Sequence, residues 1–474
     1  MLRIKIYTSL TIVLLAISSC KAPDLGRQDV NKSVPASYSN AQDSTNTVDL
    51  GWRQFYSDPY LVALIDSALA HNQELNIVLQ EMAVSQNEIM AKKGEILPSL
   101  GVNVGAGVDK AGRYTPQGAM EATTEIEPGK EMPEPVPDFI IGFKASWEVD
   151  IWRQLRNGRD AAAKRFLASY EGKNYLVTNL VAEIAESYYN LLAHDNHLAI
   201  VNRNIEIQNN ALEIVKAQKE SAKVTELAVK RFEAEVYKTK SLQYLVQQEI
   251  VEAENRINYL VGRFPQRVER SSVEIIEIEP MNILEGVPIQ LLDNRPDIRR
   301  AENELEASKL DIKIAKADFY PKLELGARFG VNAFNPSYII RPQSIIYNVV
   351  GELVAPLLNR KAIKANFYSA NSKQIQAMYN YEQTLLNAYI EVANELSKID
   401  NLGNVYELKL KQVNALSESI RISGDLFMSA RADYMEVLMT QRDVLEAKFE
   451  LVDTKKEQMI AAINAYRALG GGWK

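Results

Sequence analysis

The chain of 474 residues contains one cysteine, Cys20, and three histidines, His71, His194 and His197. A single thiol excludes an internal disulfide framework. His194 and His197 lie three apart with no cysteine motif or partner carboxylate pattern around them, so the spacing does not describe a metal site. Beyond residue 19 no run of 18 apolar residues occurs, which excludes a membrane-crossing helix. Any part that spans a bilayer must therefore be built from strands. Basic excess is also lacking: the formal net charge is −7, and it becomes −9 once Arg3 and Lys5 leave with the leader, so no nucleic-acid surface is indicated. Gly101, Gly105 and Gly107 fall at alternate strand positions, not in a turn before a helix, which excludes a phosphate loop. The expectation is a protein that is not an enzyme and carries no cofactor.

What is present begins at the N-terminus. Arg3 and Lys5 precede an apolar run through Leu10, Ile12, Val13, Leu14, Leu15 and Ile17, followed by Ser18-Ser19-Cys20. A short basic stretch, a short apolar core and small residues make a secretory signal over residues 1–19. Ile17-Ser18-Ser19-Cys20 fits the lipobox of bacterial lipoproteins, which makes Cys20 the expected lipidation site; the alternative is an ordinary buried thiol. Lys21 stands where an inner-membrane retention signal often has Asp, which favours the outer membrane. Residues 20–58 are read as a lipidated extension, with Lys21 to about Val48 an extended tether rich in Ser, Asn and Asp.

The rest divides into two similar halves, residues 59–265 and 288–474, joined by a linker at 266–287. Leu97-Pro98-Ser99-Leu100 matches Tyr320-Pro321-Lys322-Leu323, Ser221-Ala222-Lys223-Val224-Thr225 matches Ser429-Ala430-Arg431-Ala432-Asp433, and Leu260-Val261-Gly262 matches Leu469-Gly470-Gly471. Three landmarks in the same order define an internal repeat. The first half has the longer loop, at 110–137.

Four segments of about ten residues alternate with period two, the signature of strands with two unlike faces and of the length a tilted membrane strand needs. The first sets Leu100, Val102, Val104 and Val108 against Gly101, Asn103, Gly105 and Asp109. The second sets Phe139, Ile141, Phe143, Trp147 and Val149 against Lys144, Ser146 and Glu148. Leu323, Leu325, Phe329 and Val331 oppose Glu324, Arg328 and Asn332 in the third, and Ile345, Tyr347, Val349 and Leu353 oppose Asn348 and Glu352 in the fourth. Lys144, Glu148, Arg328 and Glu352 are the expected lumen residues, opposite the lipid face; solvated surface charges would give the same pattern. Four strands in lipid leave two open edges, so one chain cannot close a barrel and several copies must.

Between the strands the period becomes helical. Leu180, Ile184, Leu191, His194, Leu198, Val201, Ile205, Gln208, Leu212 and Val215 follow in steps of three and four, a heptad seam. Leu385, Tyr389, Val392, Leu396 and Ile399 repeat it, with Val413, Leu416, Ile420 and Phe427 further on. Neither Gly nor Pro interrupts Lys173 to Val261, and only Ala222-Lys223-Val224-Thr225 looks able to reverse the chain. A helix from about 155 to 220 would be roughly 100 Å long.

Asn294-Arg295-Pro296-Asp297-Ile298-Arg299-Arg300-Ala301-Glu302 opens the second half, with Pro296 and Asp297 suited to a first helical turn. Together with Trp147-Glu148-Val149-Asp150-Ile151-Trp152 and Tyr466-Arg467-Ala468-Leu469-Gly470-Gly471-Gly472-Trp473, it makes the chain resemble the TolC/OprM outer-membrane efflux proteins, over nearly everything after Asp49. The resemblance implies an α+β membrane fold: a homotrimer with a twelve-stranded β-barrel, four strands per chain, continued by a long α-helical barrel and built from two tandem repeats. It implies a passive gated conduit, docked through a periplasmic adaptor protein to an inner-membrane pump, often of the RND type. It places the adaptor contacts at the hairpin ends Ser221, Ala222, Lys223, Val224, Thr225 and Ser429, Ala430, Arg431, Ala432, Asp433. Ala222 and Ala430 stand where the family commonly has Gly. In the OprM-like branch, the periplasmic gate has a leucine, an aspartate and an arginine, which here correspond to Met435, Met439 and Arg442; Met439 departs from the pattern. The alternative for the two methionines is packing in the neighbouring helix seam. The rival for the whole chain is a lipidated periplasmic adaptor, which would carry one helical hairpin instead of two in tandem.

Overall fold

The computed structural model describes residues 23, 30–38, 46–356, 358, 360–429 and 431–474. Residues 1–19, Cys20 and Ala430 lie outside the described residues. Helix α1 (Pro59–His71) leads into α2 (Gln73–Glu95), strand β1 (Ser99–Asp109) and strand β2 (Val136–Val149). Then come α3 (Gln154–Glu220), α4 (Glu226–Val261) and α5 (Pro296–Ala317). The second pair of strands, β3 (Lys322–Ala333) and β4 (Ile345–Val354), precedes α6 (Lys361–Met428) and α7 (Tyr434–Ala468). All four strands and both long helical hairpins expected from the sequence are present. The loop expected at 110–137 is partly ordered: it holds a short helix, Pro116–Glu121, and a two-stranded hairpin, Glu125–Glu127 with Lys130–Glu131. Thr115 nucleates the helix by accepting from Gly118 N at 3.1 Å, a cap that a count of Gly and Pro does not reveal.

By chain contacts the molecule has two compact units. One contains Val84–Phe166 and Asn303–Met378; the other contains Val30–Ala83, Leu167–Glu302 and Tyr379–Lys474. Strands of both repeats thus share one unit.

In the strand-bearing unit the sheet is an antiparallel meander, β1-β2-β3-β4. Side chains directly opposite in a ladder share a face, and the register keeps like with like. Val102, Phe143, Phe329 and Tyr347 form one row across all four strands. These four are 69%, 51%, 60% and 81% exposed, so no layer of the described residues covers the apolar face. The close approach of β2 and β3, which joins the two repeats, is made at Gly142 opposite Gly330. A Cβ on Gly330 would lie 2.4 Å from the Ile141 carbonyl oxygen, and one on Gly142 2.7 Å from that of Phe329. Only residues without a side chain permit that contact.

After β2, Asp150 accepts from Leu155 N at 3.1 Å and Arg156 N at 3.0 Å, satisfying the first free donors of α3. In the other unit Asp58 caps α1 through Tyr60 N at 2.8 Å while its second oxygen accepts from the Tyr188 hydroxyl at 2.6 Å. That bond sits in the main core, where Leu61, Ile65, Ile184, Leu191, Ile257, Leu260, Met459 and Ile463 pack together. Here α3 departs from the narrow seam that its heptads describe. Val181, Ala182, Ala185, Tyr189, Leu192 and Ala193 are buried as well, because α1, α4, α7 and the linker surround this stretch. The linker 266–287 is itself packed: Val268 and Ile275 enter the core, and Arg270 donates to both Asp195 oxygens, from Nε at 2.5 Å and from Nη2 at 2.9 Å, and pairs with Glu254. Residues 30–38 form no helix or strand, and they are held: Lys32 Nζ lies 2.6 Å from Glu302 Oε1, and Tyr38 stacks on Tyr389 at 5.4 Å.

Candidate functional site

The polar face of the sheet is ordered in rows. Lys144 stands directly opposite Arg328, with Gly101 and Asn348 on the flanking strands. Four residues along, Glu148, Glu324 and Glu352 form a row of three carboxylates. The four residues expected to face a lumen therefore do share one face, and they line a concavity of about 850 Å³. Glu324 belongs to the same row; it was legible in the alternation of the third strand but not singled out. Lys322 Nζ lies 3.8 Å from Glu148 and 3.7 Å from Asp318, relieving part of the like-charge repulsion.

The two hairpin ends share one design. Ser221 Oγ donates to Ala217 O at 3.1 Å, and Ser429 Oγ donates to Asp425 O at 2.8 Å. Lys223 N donates to Gln218 O and Arg431 N to Leu426 O, both at 2.9 Å, each closing a six-to-one helix-ending bond. In the first end Ala222 has φ of 56°, the left-handed backbone that glycine enters without strain. Val224 is half-buried and Thr225 begins α4; Ala432 is half-buried and Asp433 begins α7. Beneath both ends lies one apolar cluster, Leu212, Val215, Phe232, Val236 and Val437, joined by Val224, Phe427 and Tyr434. The structure thus brings the two ends together.

On α7 the seam against the rest of the chain runs through Val437, Gln441, Val444, Ala447 and Leu451, all buried. Met435, Met439 and Arg442 lie off that seam: Met435 is half-buried, Arg442 exposed and Met439 49% exposed. Met439 thus keeps about half of its surface uncovered by the described residues. Arg442 Nη2 is 3.1 Å from Asp443 Oδ1, a neighbouring charge that the motif alignment did not include.

The histidines differ from the reading that gave them no carboxylate partner. His194 Nδ1 lies 3.2 Å from Glu249 Oε2, and His197 Nε2 lies 3.7 Å from Asp453 Oδ1. Sequence spacing could not show this, because the partners come from α4 and α7. Among the described residues no group of three His, Cys, Asp or Glu side chains could hold a metal ion.

A sheet with one bare apolar face, one charged concave face and two unpaired outer edges is the form of a membrane β-barrel segment, and long helical hairpins alternating with its strands define the class of outer-membrane channel subunits. The chain belongs to the outer membrane efflux protein family, which matches it over residues 64–263 and 287–471, in two blocks as the tandem repeat requires. It is 25% identical over 468 residues to the cation efflux system protein CusC of Escherichia coli O6:H1 (strain CFT073), covering 98% of each chain. It is 24% identical over 478 residues to the probable outer membrane lipoprotein SilC of Salmonella typhimurium, covering 100% of both. A crystal structure of CusC superposes with a TM-score of 0.83 at 24% identity, covering 95% of this chain and 99% of that one. The fold class read from the sequence stands: a β-barrel subunit with long helices in two tandem repeats. The protein is an efflux channel of the outer membrane.

Proposed function

We propose that three copies of this chain close a twelve-stranded barrel, and that the trimer is the passive, gated outer-membrane conduit of a tripartite pump. The observation that carries this reading is the register of the sheet, which aligns an uncovered apolar row across four strands and leaves β1 and β4 with open outer edges. In hydrocarbon each unpaired backbone group would cost several kcal/mol, so the edges must meet those of other copies. The repeats run over 59–265 and 288–474, and Cys20 carries the lipid anchor, in keeping with the similarity to a protein described as an outer membrane lipoprotein.

Lys144, Glu148, Arg328 and Glu352, with Glu324, face the water-filled lumen. Met435, Met439 and Arg442 ring the threefold axis as the periplasmic gate, supported by their position off the packed seam of α7. Met rings close such a pore by apolar contact and dewetting. The hairpin ends at 221–225 and 429–433 receive the tips of a periplasmic adaptor, which couples the channel to an inner-membrane RND-type transporter. The energy for export comes from that transporter, and the channel performs no catalytic step.

The test is reconstitution. The purified full-length protein should run as a heat-modifiable trimer and give ion conductance in planar bilayers. A monomer without conductance would sink the proposal.

A further inference from the structure

Where β2 ends, the chain turns through Asp150 and Ile151 to Trp152. The Trp152 indole Nε1 donates to the Pro321 carbonyl oxygen at 2.7 Å, and its ring stacks on Tyr320 with centroids 4.7 Å apart. The next residue, Arg153, has φ of 60°, a left-handed backbone that a residue with a Cβ adopts at a cost of about 1 kcal/mol. Arg153 lines one depression of about 420 Å³ with Trp152, Tyr320, two α5 lysines, Lys313 and Lys316, and one carboxylate, Asp160, which lies 2.6 Å from Arg159 Nη2. All three cations are exposed, and among the described residues none has a carboxylate within ion-pair distance. With Asp160 taken up by Arg159, the three cations around the aromatic stack leave a net positive charge that calls for an anion with an apolar neighbour.

The location says which anion. Val149 and Leu323, the opposed pair that ends the apolar face, lie three residues before Trp152 and three after Tyr320. Aromatic side chains at the end of a lipid-facing band sit at headgroup depth, and basic pockets at that depth bind lipid headgroups. A free phosphate would use the cations but would gain nothing from Trp152, Tyr320 or the adjoining apolar face.

We propose that Arg153, Lys313 and Lys316, with the Trp152–Tyr320 stack, form a binding site for the phosphodiester headgroup of a phospholipid at the base of the barrel. The proposal rests on the barrel reading above, since only a membrane-embedded sheet brings this pocket to headgroup depth.

Native mass spectrometry of the full-length trimer in detergent tests it, with added phosphatidylglycerol, phosphatidylethanolamine or inorganic phosphate as separate probes. The wild type should retain one phospholipid per chain, and R153G/K313Q/K316Q should lower that occupancy at least tenfold; W152A should lower it as well. Arg153→Gly relieves the left-handed strain, and the double variant K313Q/K316Q changes only exposed helix positions, so a folded sample is obtained in either case. Equal retention by wild type and variants overturns the site. Displacement of the lipid by millimolar inorganic phosphate assigns the pocket to a free anion and overturns the lipid proposal. Conductance of the same variants reports on the barrel independently: a conducting trimer that retains no specific lipid refutes the site alone, whereas loss of all conductance in the wild type removes the barrel reading and the site together.

Discussion

Arg295 Nη1 donates a 2.8 Å hydrogen bond to the carbonyl oxygen of Ala468, the last residue of α7. The guanidinium also engages Asp297 at 2.6 Å and Glu391 at 2.8 Å, and only 5% of the residue is exposed. A cation thus sits where the helix leaves its final carbonyls unpaired. From the other side Trp473 Nε1 donates to Asn294 O at 3.2 Å, and Gly470, with φ of 98°, leaves no room for a Cβ against that same carbonyl. The motif at 294–297 and the glycine-rich ending at 470–473 are therefore one clamp. Arg295→Ala should destabilise the fold by about 3 kcal/mol, the penalty for stranding the partner of a buried ion pair. Arg295→Lys should recover only part, since an ammonium cannot match the planar fork. Thermal unfolding of the purified protein measures both.

Gly142 and Gly330 should tolerate no side chain. A Cβ at Gly330 would meet the Ile141 carbonyl oxygen at 2.4 Å and Gly142 Cα at 2.5 Å, both backbone atoms that cannot rotate away. Gly330→Val is expected to cost at least about 1–3 kcal/mol, as overpacking does, and to shift the protein from heat-modifiable trimer toward monomer on gels. Gly326→Val is the control, because nothing lies within 4 Å of its would-be Cβ.

Met435 and Met439 should hold the channel shut. Replacing both with Ser is expected to raise single-channel conductance in planar bilayers severalfold, because a polar ring wets where a thioether ring excludes water. Closure unchanged in that variant would remove the pair from the gate.

His197 should make stability depend on pH. Burial pushes its pKa below the usual 6.5, against the opposing influence of Asp453 and of the Phe449 backbone, with His194 and Lys456 pushing the same way as burial. The unfolded chain then binds the proton more readily than the folded one. Stability is complete above about pH 6.5 and declines as pH falls through the lowered folded value. His197→Gln should flatten the melting temperature between pH 7.5 and 5; an identical slope in variant and wild type would assign the acid sensitivity elsewhere.

Much of this could be read without coordinates because the signals are local and periodic. Period-two alternation found β1 to β4 to within a few residues, since a strand exposed to lipid on one side must alternate. The absence of Gly and Pro, with one polar turn at 222–225, located the α3–α4 hairpin. Illegible were the capped helix at 116–121, the sheathing of α3 on several sides at 181–193, and the carboxylates beside His194 and His197. Each of those depends on residues far away along the chain or on a single hydrogen bond.

The sequence by itself determined where the four long strands and the long helices lie, which strand face is apolar, and that one chain leaves its sheet open. Only the tertiary structure decided that Glu324 completes a row with Glu148 and Glu352, that Met439 stays off the packed seam of α7, and that Arg295 closes the end of that helix. Periodicity fixes a side chain's direction relative to its own backbone. Which neighbour it meets is set by register and helix packing, and these depend on contacts between residues that the chain order keeps apart.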